Sequence, residues 1–296
     1  MKLRELGEDR LLARLLPSLP IHKGMVTAAG DDCAVVKPPR GQNLLLLKTD
    51  CVVEKIHFKA GTDPILVGWK AMMRPLSDFA AMSGVPQFAL ITLIASPKQT
   101  SDWVRKIYRG LSRAATRFNV SIVGGETSST RGPAVISVSV SGFVEKNRCV
   151  SRSGGKAGDD LFVTGRLGRA NRGRHLRFVP RIEESRWLTK NFSIHAMIDL
   201  SDGPGADLPR LARASKVGFK IEMESLPLNR GANIYNAISD GEDYELLFAI
   251  SRRKRKRLEK SWRKRFPKLP LTRIGRLHQQ STIKPQPFRS GYLHFQ

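Results

Sequence analysis

The residues best suited to chemistry in this sequence are its acidic residues, which are few and lie in groups. The chain has 26 Asp and Glu against 51 Lys and Arg. Carboxylate oxygens are the ligands that Mg²⁺ prefers, and glycine lets a phosphate approach the backbone closely. One Asp beside Gly or Ser is more often a turn former or helix cap. Six short segments, which we predict to be turns or strand ends, nevertheless contain eleven of the acids beside Gly, Ser or Thr. This predicts a site for a hard cation and a phosphate at Asp31 and Asp32; Asp50; Asp78; Glu126; Asp199, Asp202 and Asp207; Asp240, Glu242 and Asp243.

The segments lie between stretches whose hydrophobic patterns predict alternating strands and helices, as in an α/β or α+β fold. In the first half we predict helices at 63–83 and around 103–118, and strands at 43–49, 88–95, 120–123 and 135–141. The last of these strands alternates apolar residues with Ser, which is typical of a half-exposed strand. In the second half we predict a helix at 205–214 and strands at 161–164, 218–223 and 244–250.

A basic, glycine-rich stretch near the middle of the chain predicts a junction between two domains. Residues 146–159 read KNRCVSRSGGKAGD, a composition typical of a linker. We therefore expect domains at 1–145 and 146–296. Each can enclose a core, because 41% of the 296 residues are hydrophobic.

The composition excludes several classes of protein. No uninterrupted apolar run approaches the roughly 20 residues of a membrane-spanning helix, and the first 20 residues mix acids with bases. Cys33, Cys51 and Cys149 are far apart and form no CxxC pair, so neither a disulfide scaffold nor a zinc site is expected. We expect a cytoplasmic protein without membrane contact.

The net charge of +25 predicts a preference for partners that carry phosphate. Residues 252–268 contain eleven basic residues and one Glu. Leu258, Trp262 and Phe266 recur there at helical spacing, which predicts an amphipathic helix with a basic outer face. A solvated helix face, a nucleic-acid surface and a membrane surface all stay open as interpretations.

In their order along the chain, the motifs resemble those of the thiamine-monophosphate kinases, a family of the aminoimidazole-ribonucleotide-synthetase-like superfamily. The pairing of IDLSDG and GEDYEL with a C-terminal GY is specific to the kinases within that superfamily. The matching stretches span nearly the whole chain: 30–36, 48–58, 68–86, 123–127, 142–168, 174–181, 196–208, 241–248 and 291–295.

The resemblance implies an N-terminal mixed-sheet domain that dimerises, followed by a C-terminal α/β domain. It also implies ATP as co-substrate, several Mg²⁺ ions, and direct in-line transfer of the γ-phosphoryl group to thiamine monophosphate. The products would be thiamine diphosphate and ADP. Phosphoryl transfer asks a protein mainly for positioning and charge neutralisation, which agrees with many carboxylates and no obvious nucleophile.

Matching motif positions also imply roles for individual residues, with Asp50 and Asp202 as the catalytic pair. The implied metal ligands are Asp32, Thr49, Asp50, Asp78, Glu126, Asp199 and Asp202. The implied ATP contacts are Gly125, Glu126, Arg152 and Ser201, and the implied thiamine phosphate contacts are His57, Glu242 and Tyr292.

From the residues alone, plainer interpretations stay open. His57 fits a polar residue at a strand end, Tyr292 fits a hydrophobic anchor, and Ser201 fits a helix cap. Arg152 gains its significance only from its RSG context, because basic residues are abundant throughout the chain.

The sequence departs from the family pattern at five places. Lys48 replaces a small hydroxyl residue, Glu126 replaces Asp, and Pro75 replaces Asn. Asp240 replaces Gly, and the segment 166–174 is shortened to a basic link. We expect fewer or altered metal ions from the first change, altered metal geometry from the second, and a truncated or missing helix from the last.

Two other functions compete with the kinase. One is a sister synthetase that activates another acceptor with ATP, although residues 1–29 lack the Cys of selenophosphate synthetases. The other is a non-catalytic protein that binds nucleotide or nucleic acid through its basic surface.

Overall fold

The computed structural model describes residues 3–21, 23–27, 29–38, 40–280 and Gly291. Its first sheet has six strands in the order β1-β2-β3-β6-β4-β5. Only β4 and β5 pair in parallel, so the sheet is mixed. The strands are β1 (Met25–Thr27), β2 (Ala34–Val36), β3 (Asn43–Val53), β4 (Val85–Ala95), β5 (Ser121–Ser129) and β6 (Val135–Glu145).

Two long helices cover one face of this sheet, after the short N-terminal helices α1 (Leu3–Leu6) and α2 (Glu8–Leu15). Asp63 begins α3 (Pro64–Ala81) by accepting a hydrogen bond from the backbone of Ile65, and Pro64 suits the first helical position. Thr100 caps α4 (Ser101–Arg117) in the same manner. The helix α3 continues through the buried Pro75.

The opposite face of the six-stranded sheet carries exposed apolar side chains. Leu47, Phe88, Leu90 and Val123 are between 41% and 57% exposed. Side chains alternate between the two faces of a strand. The sheet is therefore apolar on both sides, although the described residues place helices on only one.

The second sheet is antiparallel, with the order β8-β10-β7-β11-β9. Its strands are β7 (Asp160–Thr164), β8 (Ile194–Asp199), β9 (Gly218–Ile221), β10 (Leu246–Ile250) and β11 (Leu271–His278). Helices α5 (Ile182–Asn191), α6 (Pro204–Ala214), α7 (Ile234–Ser239) and α8 (Arg255–Arg265) accompany it. Ala80 and Ala81 of α3 pack in one cluster with Phe162 and Phe248 of this sheet, so α3 joins the two halves.

The structure confirms the mixed α/β class and its two sheets. In α8, Leu258 and Trp262 are buried, which confirms the direction of its apolar stripe. The domain boundary at residue 146 stays a prediction. Of the described residues, no helix is both long and apolar enough to cross a membrane.

Several element boundaries were predicted wrongly. The strand expected at 120–123 is β5, which continues through both glycines to Ser129 because it pairs along β4. Asp50 was expected at a strand end but lies inside β3, opposite Val138. The shortened segment 166–174, for which we predict a truncated or missing helix, is a separate case: between β7 and α5 the chain forms two 3₁₀ helices of three residues each, at 170–172 and 174–176.

Candidate active site

Three buried carboxylates converge between the two sheets. Asp32 lies in the loop before β2, Asp78 lies in α3, and Asp199 ends β8. One oxygen from each lies within 4.8 Å of the others, and the residues are between 1% and 6% exposed. Hard divalent cations prefer an all-oxygen donor set of this kind, so these residues fit Mg²⁺. We call them the acidic cluster.

The acidic cluster is costly to ionise fully without a counter-charge. Burial raises the pKa of Asp78 well above its usual value, and the neighbouring Asp199 adds to this effect. Burial, together with Asp32, raises the pKa of Asp199 to about 6. The hydroxyl of Ser77 donates to Asp199 at 2.6 Å and partly offsets these effects.

Arg152 lies directly against the acidic cluster. Its guanidinium Nη2 donates to Asp32 Oδ1 at 2.7 Å and its Nε donates to Asp32 Oδ2 at 3.3 Å. Its backbone N–H donates to Asp31 at 3.1 Å. Burial, with Asp32 beside it, raises the pKa of Asp31 to about 6. A guanidinium here is placed to contact phosphate oxygens close to a bound cation.

Two further basic residues hold carboxylates on the helix-covered face of β3. Lys48 Nζ lies 2.6 Å from Asp78 Oδ1. Arg74 of α3 donates through Nε to Asp50 Oδ2 at 3.1 Å and through Nη1 to the carbonyl of Cys51 at 2.9 Å. Asp50 is therefore tied to α3 and is not one of the three carboxylates of the acidic cluster.

The loop of Ser201 and Asp202 is enclosed by glycines from three separate motifs. A Cβ on Gly203 would lie 2.6 Å from the carbonyl oxygen of Ile238. A Cβ on Gly241 would lie 2.8 Å from the carbonyl oxygen of Ser201, and one on Gly291 would lie 2.3 Å from that of Asp202. Gly203 and Gly241 also have φ of 90° and 68°, which favours glycine. The motif glycines thus bring the SDG, GED and GY segments together.

Asp202 itself belongs to an ion-paired group at the start of α6. Arg210 donates to its carboxylate at 2.5 Å and to that of Asp207 at 3.0 Å. The Asp202 backbone N–H donates to Asp207 at 3.0 Å. Asp240 lies apart from this group, where it accepts hydrogen bonds from the backbone of Arg169 and from Asn236.

The structure brings together His57 and Glu242, two residues expected to hold thiamine phosphate. Lys70 of α3 bridges them, because its Nζ donates to the His57 carbonyl at 2.7 Å and forms an ion pair with the Glu242 carboxylate. Its side chain is fully buried. Burial lowers the pKa of Lys70 to about 8, although Glu242 opposes this shift. Neither Lys70 nor Arg74 is among the predicted site residues, because neither stands out among 51 basic residues.

Two predicted metal ligands face away from the acidic cluster. The Thr49 hydroxyl accepts from Ser139 at 3.0 Å on the exposed face of the sheet, while Lys48 and Asp50 face α3. Exposed Glu126 lies inside β5, opposite Thr92. Both ligand assignments stay predictions.

Gly125 lies so close to β4 that a Cβ there would be 1.8 Å from the Ile91 carbonyl oxygen. Its contact with ATP, like that of Ser201, stays a prediction. Tyr292 lies outside the described residues.

The fold and motifs first define a broad class. Residues 30–144 match the family described as AIR synthase related protein, N-terminal domain. Solved structures of the hydrogenase maturation protein HypE share the fold, as in the HypE-HypF complex at 21% identity and a TM-score of 0.69, covering 85% of this chain and 88% of that one.

Closer relatives give the family. The chain is 35% identical to thiamine-monophosphate kinase of Rhodopirellula baltica, over 84% of this chain and 82% of the relative. It is 31% identical to that of Haemophilus influenzae, over 97% and 94%. A solved structure described as AaThiL complexed with AMPPCP and TMP aligns with a TM-score of 0.85 at 32% identity, over 99% of both chains. The chain belongs to the thiamine-monophosphate kinase family. Members are phosphotransferases, so the prediction of an enzyme of this class is confirmed.

Proposed function

We propose that this protein uses ATP and Mg²⁺ to phosphorylate thiamine monophosphate, giving thiamine diphosphate and ADP. The observation that carries the proposal is that the chain assembles two groups of charged residues. The first is the acidic cluster with Arg152. The second is Lys70 with the two residues that it bridges, His57 and Glu242. The first group suits a nucleotide with its cation. The second suits a cationic, phosphorylated acceptor.

In this proposal, Asp32, Asp78 and Asp199 hold Mg²⁺, while Asp50 and Asp202 provide further carboxylate oxygens. Bound Mg²⁺ supplies charge neutralisation at the phosphoryl oxygens. The side chains gathered here are carboxylates and basic groups, which act by position and charge. We therefore propose direct in-line transfer between the two bound substrates.

The side chains act by position and charge. Arg152 would bind a phosphate oxygen of ATP, and we propose Ser201 and the β5 residues Gly125 and Glu126 as further contacts of ATP. Lys70 would fix the Glu242 carboxylate against the thiamine moiety. Holding the two substrates at reacting distance lowers the entropic part of the barrier to transfer.

The exposed apolar sheet face supports a homodimer. Leu47, Phe88, Leu90 and Val123 share this face with Thr49, and they border a cavity of about 410 Å³. Burial of such a patch against a second copy would remove apolar surface from water. We also propose a cytoplasmic location, because Cys33, Cys51 and Cys149 are all free thiols.

Product analysis tests the proposed reaction. The purified chain is incubated with ATP, Mg²⁺ and thiamine monophosphate, and thiamine diphosphate and ADP are followed by chromatography. Equal amounts of both products are expected, with no product from thiamine or an aminoimidazole ribonucleotide precursor as acceptor. Turnover of either control acceptor in preference to thiamine monophosphate would refute the assignment.

A second activity, nonspecific binding of nucleic acid, is favoured by the surface of α8 and the residues flanking it. Within 252–268, ion pairs join Arg255 to Glu259 and Arg265 to Glu183, so nine of the eleven basic residues pair with no described carboxylate. Leu258 and Trp262 face the core, so the helix has no apolar stripe left for a membrane. We propose that this surface contacts polyanions electrostatically.

Salt-dependent binding tests this surface. We expect a single-stranded RNA to bind at low salt and to be released as salt rises. Replacement of Arg252, Arg253 and Lys256 with Gln should weaken that binding more than replacement of Arg109, Arg113 and Arg131, which removes the same charge elsewhere. Equal weakening by both triple variants would leave only the net charge as the cause.

A further inference from the structure

Lys48 lies on β3, and its ammonium group reaches the acidic cluster from the side of the sheet. Its side chain lies on the helix-covered face of β3, between the buried Leu46 and the half-buried Asp50 along that face. The four-carbon stem extends to α3, and Nζ lies 2.6 Å from Asp78 Oδ1. The side chain is 23% exposed and that of Asp78 is 9% exposed.

The charges around the acidic cluster are already partly balanced by the chain itself. Three carboxylates meet there. The Lys48 ammonium neutralises Asp78, and the Arg152 guanidinium neutralises Asp32. Only Asp199 has a neutral hydrogen-bond donor, Ser77, as its nearest polar partner. The cluster therefore needs less positive charge from bound ions than three free carboxylates would.

The ammonium group occupies the position that a cation bound to Asp78 would need, because Nζ lies 2.6 Å from Asp78 Oδ1. A divalent cation placed on the same carboxylate oxygen would lie within a few ångströms of this charge, where repulsion is strong. The two cations therefore compete for Asp78 Oδ1.

We propose that the Lys48 ammonium replaces one divalent cation at Asp78, so that the loaded site holds one ion fewer than it would with a neutral residue at position 48. The proposal rests on the proposed kinase function. Lys48 is a positioning residue here, because it fixes Asp78 against β3 as a bound ion would.

Counting bound Mn²⁺ tests this directly. The full chain is titrated with Mn²⁺ in the presence of a non-hydrolysable ATP analogue and thiamine monophosphate, and free Mn²⁺ is measured by electron paramagnetic resonance. Lys48→Thr is expected to bind one Mn²⁺ more per chain than the wild type. Lys48→Arg keeps the charge and should bind the wild-type number, as should the exposed control Lys98→Thr.

A second neutral variant guards against misfolding. Lys48→Gln removes the charge but still offers a hydrogen bond to Asp78, so it should fold if the shorter Thr does not. It is also expected to gain one Mn²⁺. Either neutral variant, folded by circular dichroism and binding only the wild-type number of ions, overturns the proposal.

The count is independent of catalysis. A wild type that binds Mn²⁺ and the analogue but makes no thiamine diphosphate would refute the proposed function alone. The comparison among the position-48 variants would still decide the role of the lysine.

Discussion

At the scale of single residues, we expect the charge on Lys70 to make the proposed activity depend on pH. Burial lowers its pKa to about 8, so the ammonium is charged below that pH and neutral above it. The Glu242 carboxylate then loses its ion-pair partner. We predict that kcat/KM for thiamine monophosphate falls as the pH rises through about 8.

Two variants test whether Lys70 is the group whose titration causes this fall in kcat/KM. Lys70→Met should lower kcat/KM roughly 10- to 100-fold below pH 8, because a charged hydrogen bond is worth about 1.5–3 kcal/mol, and its profile should lack the fall near pH 8. Lys70→Arg should shift the fall to higher pH. An unchanged fall in Lys70→Met would assign the titration to another group.

Asp50 and Asp202 belong to the proposed phosphoryl-transfer machinery. Asp50→Asn and Asp202→Asn should each lower kcat by roughly 10²- to 10³-fold or more, because each removes a carboxylate charge that, in the proposed site, helps to hold the Mg²⁺ that neutralises the transferring phosphoryl group. The fold should persist, since the amide can remain near Arg74 or Arg210. Full activity in either variant removes that residue from the site. Asp102→Asn, on the exposed surface of α4, is the matched control.

Site residues were predictable where the neighbouring residues in the sequence formed a recognisable motif. Asp32, Asp78 and Asp199 lie in short motifs whose composition already pointed to a cation, and the structure joins them. Lys70 and Arg74 form ion pairs with residues that are distant in the sequence, as Lys70 does with Glu242. No local pattern could distinguish them from other basic residues.

At the scale of elements, the contact between α3 and α4 depends on two glycines. A Cβ at Gly68 would lie 2.0 Å from the Ile107 carbonyl oxygen, and one at Gly110 would lie 2.0 Å from that of Ile65. Gly68→Ala should therefore destabilise the protein by about 1–3 kcal/mol, despite the better helix propensity of alanine. Urea unfolding followed by circular dichroism measures this change.

Gly132→Ala is the control for that substitution, because its nearest neighbour would be 3.5 Å from the new Cβ. It should change the free energy of unfolding by less than about 0.5 kcal/mol. Equal effects at both positions would mean that the helix contact adjusts freely.

Elements with a long, regular pattern were predictable, and those stabilised by tertiary pairing were not. The apolar run of β3 correctly predicted a strand, although β3 is longer than expected. The spacing of apolar residues in α4 correctly predicted a helix. The strand β5 passes through two glycines because β4 holds it in register. The helix α5 begins without a side-chain cap and has few apolar residues, so no pattern in the sequence predicts it.

At the scale of the whole molecule, the exposed sheet face predicts self-association. Leu90 is 51% exposed on that face in a single chain. Leu90→Arg should convert a dimer into a monomer, because a charge would be buried without a partner. Sedimentation measures the mass, and a wild type that is monomeric at all concentrations would contradict the prediction.

The meeting of three motifs at Asp202 is also a property of the whole molecule. Gly203, Gly241 and Gly291 come from separate segments, and each approaches a backbone carbonyl more closely than a side chain would allow. The sequence alone predicted that these motifs belong to the functional site. Their mutual packing required the three-dimensional structure, because it depends on contacts between distant parts of the chain.

The proposed transfer to thiamine monophosphate can be tested by following the γ-phosphate of ATP. The protein is incubated with ATP labelled in that phosphate, Mg²⁺ and thiamine monophosphate, with Asp202→Asn in parallel. We predict that the label appears in thiamine diphosphate in equal amount to ADP, and that the variant transfers little. Label released only as inorganic phosphate, or formation of AMP in place of ADP, would contradict direct γ-phosphoryl transfer.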